Sequence, residues 1–273
     1  MITIITAVHN QLAMNRLFFE SIKKYTHHDF ELIVIDNAST DDSANYFEKA
    51  GATVIRNTEN YSYPHTQNQG IKIAKYNYLA FLNNDIIVAS NWDKTIIDSM
   101  NNNGLDALTT CGLERVENEK KTKRLRLKWN LIRNAFKYLP KNYSNLKLMH
   151  KLMYFDWKKF NATRKLQFND TFIEGCLGHS VILTKRAIEL CGEWDVRLQE
   201  ADFDLFMRIK KRSLEHQDIK PCMIDLSVYN HHYIRLTAKA KYKPFADASN
   251  LIKLNQKWSK LEMDLLLKEF VKN

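Results

Sequence analysis

No run of hydrophobic residues in this 273-residue chain is long enough to cross a bilayer. At the N-terminus only residues 2–8 are continuously apolar, far short of a secretion-signal core with its flanks. A cytoplasmic protein is expected. The four cysteines, Cys111, Cys176, Cys191 and Cys222, lie far apart without C-x-x-C pairing, which argues against a zinc or dithiol redox site and for reduced core thiols. No G-x-G-x-x-G follows the first apolar run and no G-x-x-x-x-G-K-[ST] occurs, so the familiar glycine-rich phosphate cradles are unsupported. The length suits one large domain, or one domain with an appendage.

What is abundant is positive charge. The formal net charge of +10 predicts attraction to an anionic partner. Residues 114–165 carry 16 Lys and Arg against four acids, more than the whole balance. Trp129, Leu131, Phe136, Tyr138 and Leu139 are interleaved with those charges. Such a segment suits an anionic membrane interface, with aromatics inserted and cations on lipid phosphates. It equally suits a solvated face on an inserted helical hairpin packed on the main domain. Nucleic acid is not expected as the partner, because no recognisable nucleic-acid module accompanies the charge.

The remaining texture alternates. Residues 2–8, 31–36, 52–56, 79–82, 106–111 and 220–226 read as strands. Helices are expected from Asn10, from Ser39 or Thr40 as cap with Asp41 and Asp42 in the first turn and Gly51 as stop, over 67–76, over 91–103 with Asn91 as cap and Gly104 as stop, and over 185–191. This rhythm predicts an α/β fold with a mostly parallel sheet. The runs 31–36 and 79–82 are continuously apolar, as in strands covered on both faces, and lead to Asp36 and Asp85. Carboxylates at such strand ends stand where α/β sheets gather ligands, and Asp85 could hold a hard cation. Residues 172–184 return to strand composition. Asp202 and Asp204 open a helix two positions apart, so they cannot share a face: one can look into a site while the other pairs, as the i,i+4 spacing of Asp204 and Arg208 suggests for a surface ion pair. His231 and His232 follow the late strand, and residues 246–271 form an amphipathic helical pattern.

The order of these signals carries a resemblance. Ala7-Val8-His9-Asn10, then Val34-Ile35-Asp36-Asn37, then Asn68-Gln69-Gly70, then Phe81-Leu82-Asn83-Asn84-Asp85 resemble the nucleotide-sugar half of family 2 glycosyltransferases with the GT-A fold. Gly192-Glu193-Trp194-Asp195, Ala201-Asp202-Phe203-Asp204, His231-His232 and Lys257-Trp258 are similar to that family's acceptor-side landmarks. The resemblance implies a single domain with a nucleotide-sugar half over 1–112, an acceptor half over 171–245 and a C-terminal helix over 246–273; the basic helical segment over 113–170, which has no counterpart in the family, is an insertion between the halves. It also implies an inverting, metal-dependent hexosyltransferase. Donor-binding residues would be Ala7, His9, Asp36, Asn37, Asn68, Asn84 and Asp85. Mn²⁺ or Mg²⁺ would rest on Asp85 with His231 or His232, since the metal motif is thinned to Asn83-Asn84-Asp85. Asp202 would be the catalytic base. The partners implied are a nucleotide-sugar donor and a glycan or lipid-linked acceptor; the basic aromatic segment adds the expectation of an enzyme peripheral at the inner membrane face, with a role in surface glycan or polysaccharide assembly. The thinned motif, and Ala201 where many members carry Glu, leave a non-catalytic sugar-nucleotide or glycan-binding protein as the alternative.

Overall fold

The computed structural model describes residues 1–234, 236 and 244–268. Strands β1 (Ile2–Val8), β2 (Phe30–Asn37), β3 (Thr53–Asn57) and β4 (Tyr78–Leu82) alternate with helices α1 (Leu12–Tyr25), α2 (Ser43–Lys49) and α3 (Tyr63–Ile73). A two-residue strand β5 (Ile86–Ile87), helix α4 (Trp92–Asn103) and strand β6 (Ala107–Cys111) complete the first half. The basic segment forms three helices rather than a hairpin: α5 (Glu119–Ala135), α6 (Tyr143–Tyr154) and α7 (Trp157–Phe168). Then come β7 (Phe172–Glu174), β8 (Ser180–Thr184), α8 (Lys185–Cys191), α9 (Ala201–His216), β9 (Met223–Tyr229) and β10 (His231–His232).

Eight strands make one sheet in the order β3-β2-β1-β4-β8-β6-β9-β7. β8 and β7 run antiparallel to their neighbours and the remaining pairings are parallel, as expected for the mostly parallel sheet. The alternation of side chains along each strand supplies two cores. Ile2, Ile4, Leu32, Val34, Ala80 and Leu82 face α1, α2 and α4 through Phe18, Phe47 and Trp92. Ile5, Ile33, Ile35, Leu79 and Phe81 face α9 through Leu205, Phe206 and Ile209. Burial on both faces explains why these runs are continuously apolar.

Five local expectations change. Helix α2 begins at Ser43 after Asp42, because Ser39 and Thr40 are tied to Asn10 instead of capping it. Helix α1 begins at Leu12 because Asn10 and Gln11 sit at φ 59 and 70. Asn10 tolerates that conformation while its Oδ1 accepts the Thr40 N–H at 2.7 Å, clamping the loop after β2. Helix α3 begins at Tyr63, where Pro64 fits the first turn. Asn91 takes the N-cap position of α4 without a side-chain capping bond, whereas Gly104 ends the helix in the left-handed region as expected. The C-terminal pattern is not one helix. It breaks into a 3-10 turn (Ala248–Asn250), α10 (Leu254–Lys257) and α11 (Lys260–Leu266), because Trp258 is extended and buried and Ser259 with Glu262 forms a new capping box. Residues 269–271 of that expected helix lie outside the described residues.

The insertion builds a third core. Trp129, Met149, Met153, Tyr154 and Trp157 pack with Tyr229 and Tyr233 at the end of β9. Arg164 is buried, donating to Leu226 O at 2.8 Å and pairing with Glu117 at 3.0 Å. The segment's tryptophans are therefore occupied by the protein itself.

Candidate functional site

The sheet order gathers the site. β4, β6 and β9 are mutually aligned, so Asp85, Glu114 and His232, which follow them, all lie at one rim. β8 runs the other way between β4 and β6, so the residue preceding it, His179, lies at the same rim. β10 pairs antiparallel with β5, setting His232 opposite Ile86.

Within this rim the imidazole of His232 stands between two carboxylates. Its Nε2 lies 3.1 Å from Asp85 Oδ1, and its Nδ1 meets Glu114 Oε1. Burial opposes the charged ring, but Asp85 and Glu114 outweigh it and hold the His232 pKa well above the ordinary value. Burial likewise opposes ionisation of Glu114, yet the charges of His179 and His232 bring it down to about 2. His179, stacked on His232 with ring centroids 5.4 Å apart, is pushed toward its neutral form by burial.

Glu114, His179 and His232 each offer a ligand atom within 4.8 Å of the others. Two further observations fit a cation there. Glu114 Oε2 and both ring nitrogens of His179 are buried without a hydrogen bond of ordinary geometry. Gly112 leaves the space open: a Cβ there would lie 2.5 Å from Glu114 Oε2 and 2.6 Å from His179 Cε1. Two imidazoles with carboxylates suit Mn²⁺ better than Mg²⁺, which favours an all-oxygen shell.

His231, the neighbouring residue on a strand, points the opposite way. It is fully buried, 2.9 Å from Tyr154 Oη and edge-on to Trp129, and burial pushes its pKa well below the ordinary value. Strand alternation thus takes His231 out of the metal set and leaves His232.

Asp202 stands at the start of α9, against Gly178. The Gly178 and Phe203 amides donate to its carboxylate, and a Cβ on Gly178 would lie 2.6 Å from Asp202 Oδ2. Burial, outweighing these donors, raises the Asp202 pKa. Asp202 and Glu114 line one cavity of about 700 Å³, whose opposite wall is the first part of α5 with Thr122, Lys123 and Arg126. Asp204 looks the other way, as the two-residue spacing requires. It is fully buried, accepting from Trp258 Nε1 at 2.8 Å and pairing with Arg208 at 2.8 Å and Lys257 at 2.6 Å. The expected surface pair is a buried network.

The other donor-side residues fall at the ends of β1, β2 and β4, except Asn68, which lies in α3. Ala7 is in β1, and His9 Nδ1 lies 2.7 Å from Asn37 O. Asp36 is buried with Oδ1 unsatisfied, leaving an acceptor for a ligand N–H or O–H. Asn37 is committed inside the protein, donating to Asn60 Oδ1 and Tyr61 O, each at 2.7 Å, and accepting from Tyr61 N. Asn68 clasps the backbone of Trp194, donating to its carbonyl at 2.8 Å and accepting its amide at 3.1 Å. Asn84 donates to Asn15 Oδ1 at 2.7 Å. Asn37, Asn68 and Asn84 therefore hold the loops on which ligand-facing atoms sit. Glu114 and His179 were not singled out by sequence reasoning. Glu114 carries the same signal as Asp85, a carboxylate just after an apolar strand, but His179 becomes visible only once β8 is known to run antiparallel.

The chain matches the model of Glycosyl transferase family 2 over residues 3–169 and belongs to that family. Among curated proteins no sequence matches significantly. Its fold is GT-A. The mannosyltransferase PcManGT from Pyrobaculum calidifontis, solved with GDP-Man and Mn²⁺, superposes with a TM-score of 0.51 at 12% identity, over 82% of this chain and 56% of that one. TarS 1-349 from S. aureus, solved with UDP, superposes with a TM-score of 0.51 at 15% identity, over 84% and 60%. The chain thus spans under two thirds of the length of these relatives.

Proposed function

We propose that this protein transfers a hexosyl group from a nucleoside diphosphate sugar to an acceptor hydroxyl with inversion. The observation that supports the reading is that Asp202 shares a cavity with Glu114, the member of the Glu114, His179 and His232 group that reaches it, while Asp85 pairs with His232 behind it. The nucleotide donor is supported by the GDP-Man and UDP of the two relatives and by the free acceptor on Asp36.

In this reading the acceptor enters between α5 and α9. Its hydroxyl oxygen forms the new bond to the anomeric carbon while that carbon's bond to the diphosphate breaks, and the proton passes to Asp202. A carboxylate whose pKa is raised by burial is a better base for a hydroxyl than an ordinary one. Gly178 and Phe203 hold it in place through their amides. Mn²⁺, when bound by Glu114, His179, His232 and Asp85, would supply Lewis-acid neutralisation of the leaving diphosphate.

The acceptor we infer is a glycan or lipid-linked sugar in surface polysaccharide assembly, met at the cytoplasmic face of an anionic membrane. No helix among the described residues is long and apolar enough to cross a membrane. Instead α5 buries Thr122 and Trp129 and presents Lys120, Arg124, Leu127 and Leu131 on the opposite face, with Leu127 62% and Leu131 64% exposed. Beside it α6 presents Leu148, Leu152 and, at its end, Phe155. Exposed leucines among cations suit an anionic lipid surface.

A direct test is Mn²⁺ titration by isothermal calorimetry. Wild type should bind one ion, and Glu114→Gln and His232→Ala should weaken binding at least tenfold while His231→Phe keeps it. Equal binding by all of them would refute the assignment.

A further inference from the structure

A second cavity, of about 390 Å³, lies away from Asp202 between the end of α1, the start of α4, α7 and β9. Its volume is within the range of small-molecule sites, about 300–1,000 Å³. Lys24, Lys158 and Lys165 line it, and among the described residues no carboxylate does. Lys158 and Lys165 are seven residues apart on α7, two helical turns, and so share the face that looks onto the cavity. Lys165 is already drawn toward the start of α4, donating to Thr95 Oγ1 at 3.1 Å.

The start of α4 contributes its own field. Asn91 caps the 12-residue helix without a side-chain bond and lines the cavity together with Thr95, which sets the positive end of the helix dipole beside this space. Its first-turn acid, Asp93, is turned elsewhere, accepting from the amides of His27 and His28 and from the His28 ring. The nearby carboxyl of Asp225 is taken up by Ser227 and Ser99.

Two polar atoms at the cavity lack partners. Asn161 is 5% exposed and donates through Nδ2 to Trp157 O at 3.0 Å, which leaves its Oδ1 buried and unsatisfied. Ser90 Oγ is also buried and unsatisfied. The Asn161 oxygen can only accept, so the occupant it fits brings a hydroxyl as well as a negative charge. Inorganic phosphate offers a P–OH but no further hydroxyl, so an ester is set apart from it by the added carbon-borne hydroxyls that Asn161 and Ser90 can meet.

We propose that this cavity binds a hydroxyl-bearing phosphate ester, with its phosphate on Lys24, Lys158 and Lys165 and its hydroxyls on Asn161 and Ser90. The chemistry is shared by a free sugar or glycerol phosphate and by a polyol-phosphate lipid headgroup. The site stands apart from the proposed donor and acceptor cavity, and two of its three lysines belong to the basic insertion.

The experiment is calorimetric titration of the full chain with glycerol 3-phosphate, glucose 6-phosphate and glycerophosphoglycerol, the deacylated phosphatidylglycerol headgroup. Inorganic phosphate and glycerol serve as controls. Wild type should bind at least one of the esters at least tenfold more tightly than inorganic phosphate. Lys158→Gln with Lys165→Gln, both at exposed positions, should weaken that ester at least tenfold without changing the ligand-free Tm or the Mn²⁺ affinity. Tighter binding of the monoesters assigns a free metabolite, and tighter binding of the diester assigns a lipid headgroup. No ester binding at millimolar concentration, an unchanged affinity in the double variant, or inorganic phosphate binding as tightly as the esters would overturn the proposal.

Discussion

Replacing Gly178 with alanine perturbs the proposed base without touching its chemistry. The new Cβ would sit 2.6 Å from Asp202 Oδ2 and 3.0 Å from Asp202 Cγ. An ordinary carbon-to-oxygen contact is longer by several tenths of an ångström, so the carboxylate retreats by roughly 0.5–1 Å, and misplacement on that scale costs up to about 100-fold in rate. The expected result is a kcat lowered roughly 10- to 100-fold, with donor affinity retained. Asp202→Asn removes the base itself and should cost more, about 10²- to 10⁴-fold. The assay is release of nucleoside diphosphate with donor, acceptor and Mn²⁺, alongside binding of donor alone. Full kcat in Gly178→Ala, or a loss confined to donor affinity, would refute the placement of Asp202 at the reacting hydroxyl.

Burial raises the Asp202 pKa above its ordinary 3.8, so the ionised form is a liability of the folded state. The contribution of the neutral acid is present below the unfolded value and lost as pH rises through the folded one. Asp202→Asn is therefore more stable than wild type in urea at pH 7, and the difference closes below about pH 3.8; a deficit at pH 7 would contradict this. Asp204→Ala strands Arg208, Lys257 and Trp258 Nε1 around a buried gap, and loss of one partner from such a network costs about 3–5 kcal/mol in urea denaturation. A cost below about 1 kcal/mol would show the network to be ornamental. Gly112→Ala should weaken Mn²⁺ roughly 10- to 100-fold by displacing Glu114 and His179, read by calorimetry against an unchanged far-ultraviolet spectrum. For membrane docking, Leu127→Ser with Leu131→Ser should lower co-sedimentation with anionic vesicles severalfold, and undiminished sedimentation would exclude the α5 face.

The parts of the fold that were legible in the sequence are those where burial on two faces leaves a continuous apolar run, as in β1, β2 and β4, or where a glycine ends a helix, as Gly104 does. Family membership was legible in the order of short motifs, each weak alone. What the sequence hid depends on distant pairing. His179 reaches the rim only because β8 runs antiparallel between β4 and β6, and His231 leaves it because a strand alternates its side chains. In the basic segment, charge masked packing. Trp129, which suits insertion into a membrane interface as well as packing on the domain, fills a core with Trp157 and Tyr229, whereas Leu131, Tyr138 and Leu139 of the same segment are exposed, as are Leu127 and Phe155. Of the cations there, Lys123 pairs with Glu119, and Arg126 and Lys128 reach backbone carbonyls, so Lys120 and Arg124 are the better probes.

The most direct test of glycosyl transfer is a panel of nucleotide sugars with Mn²⁺, following nucleoside diphosphate release by wild type, Asp85→Ala and Asp202→Asn, with thermal shifts for the same donors. Release from one donor, lost in both variants while Asp202→Asn still shows donor-dependent stabilisation, is the predicted result. No release and no Mn²⁺-dependent stabilisation by any donor would contradict the account, and stabilisation without turnover across an acceptor panel would assign a sugar-nucleotide-binding protein instead.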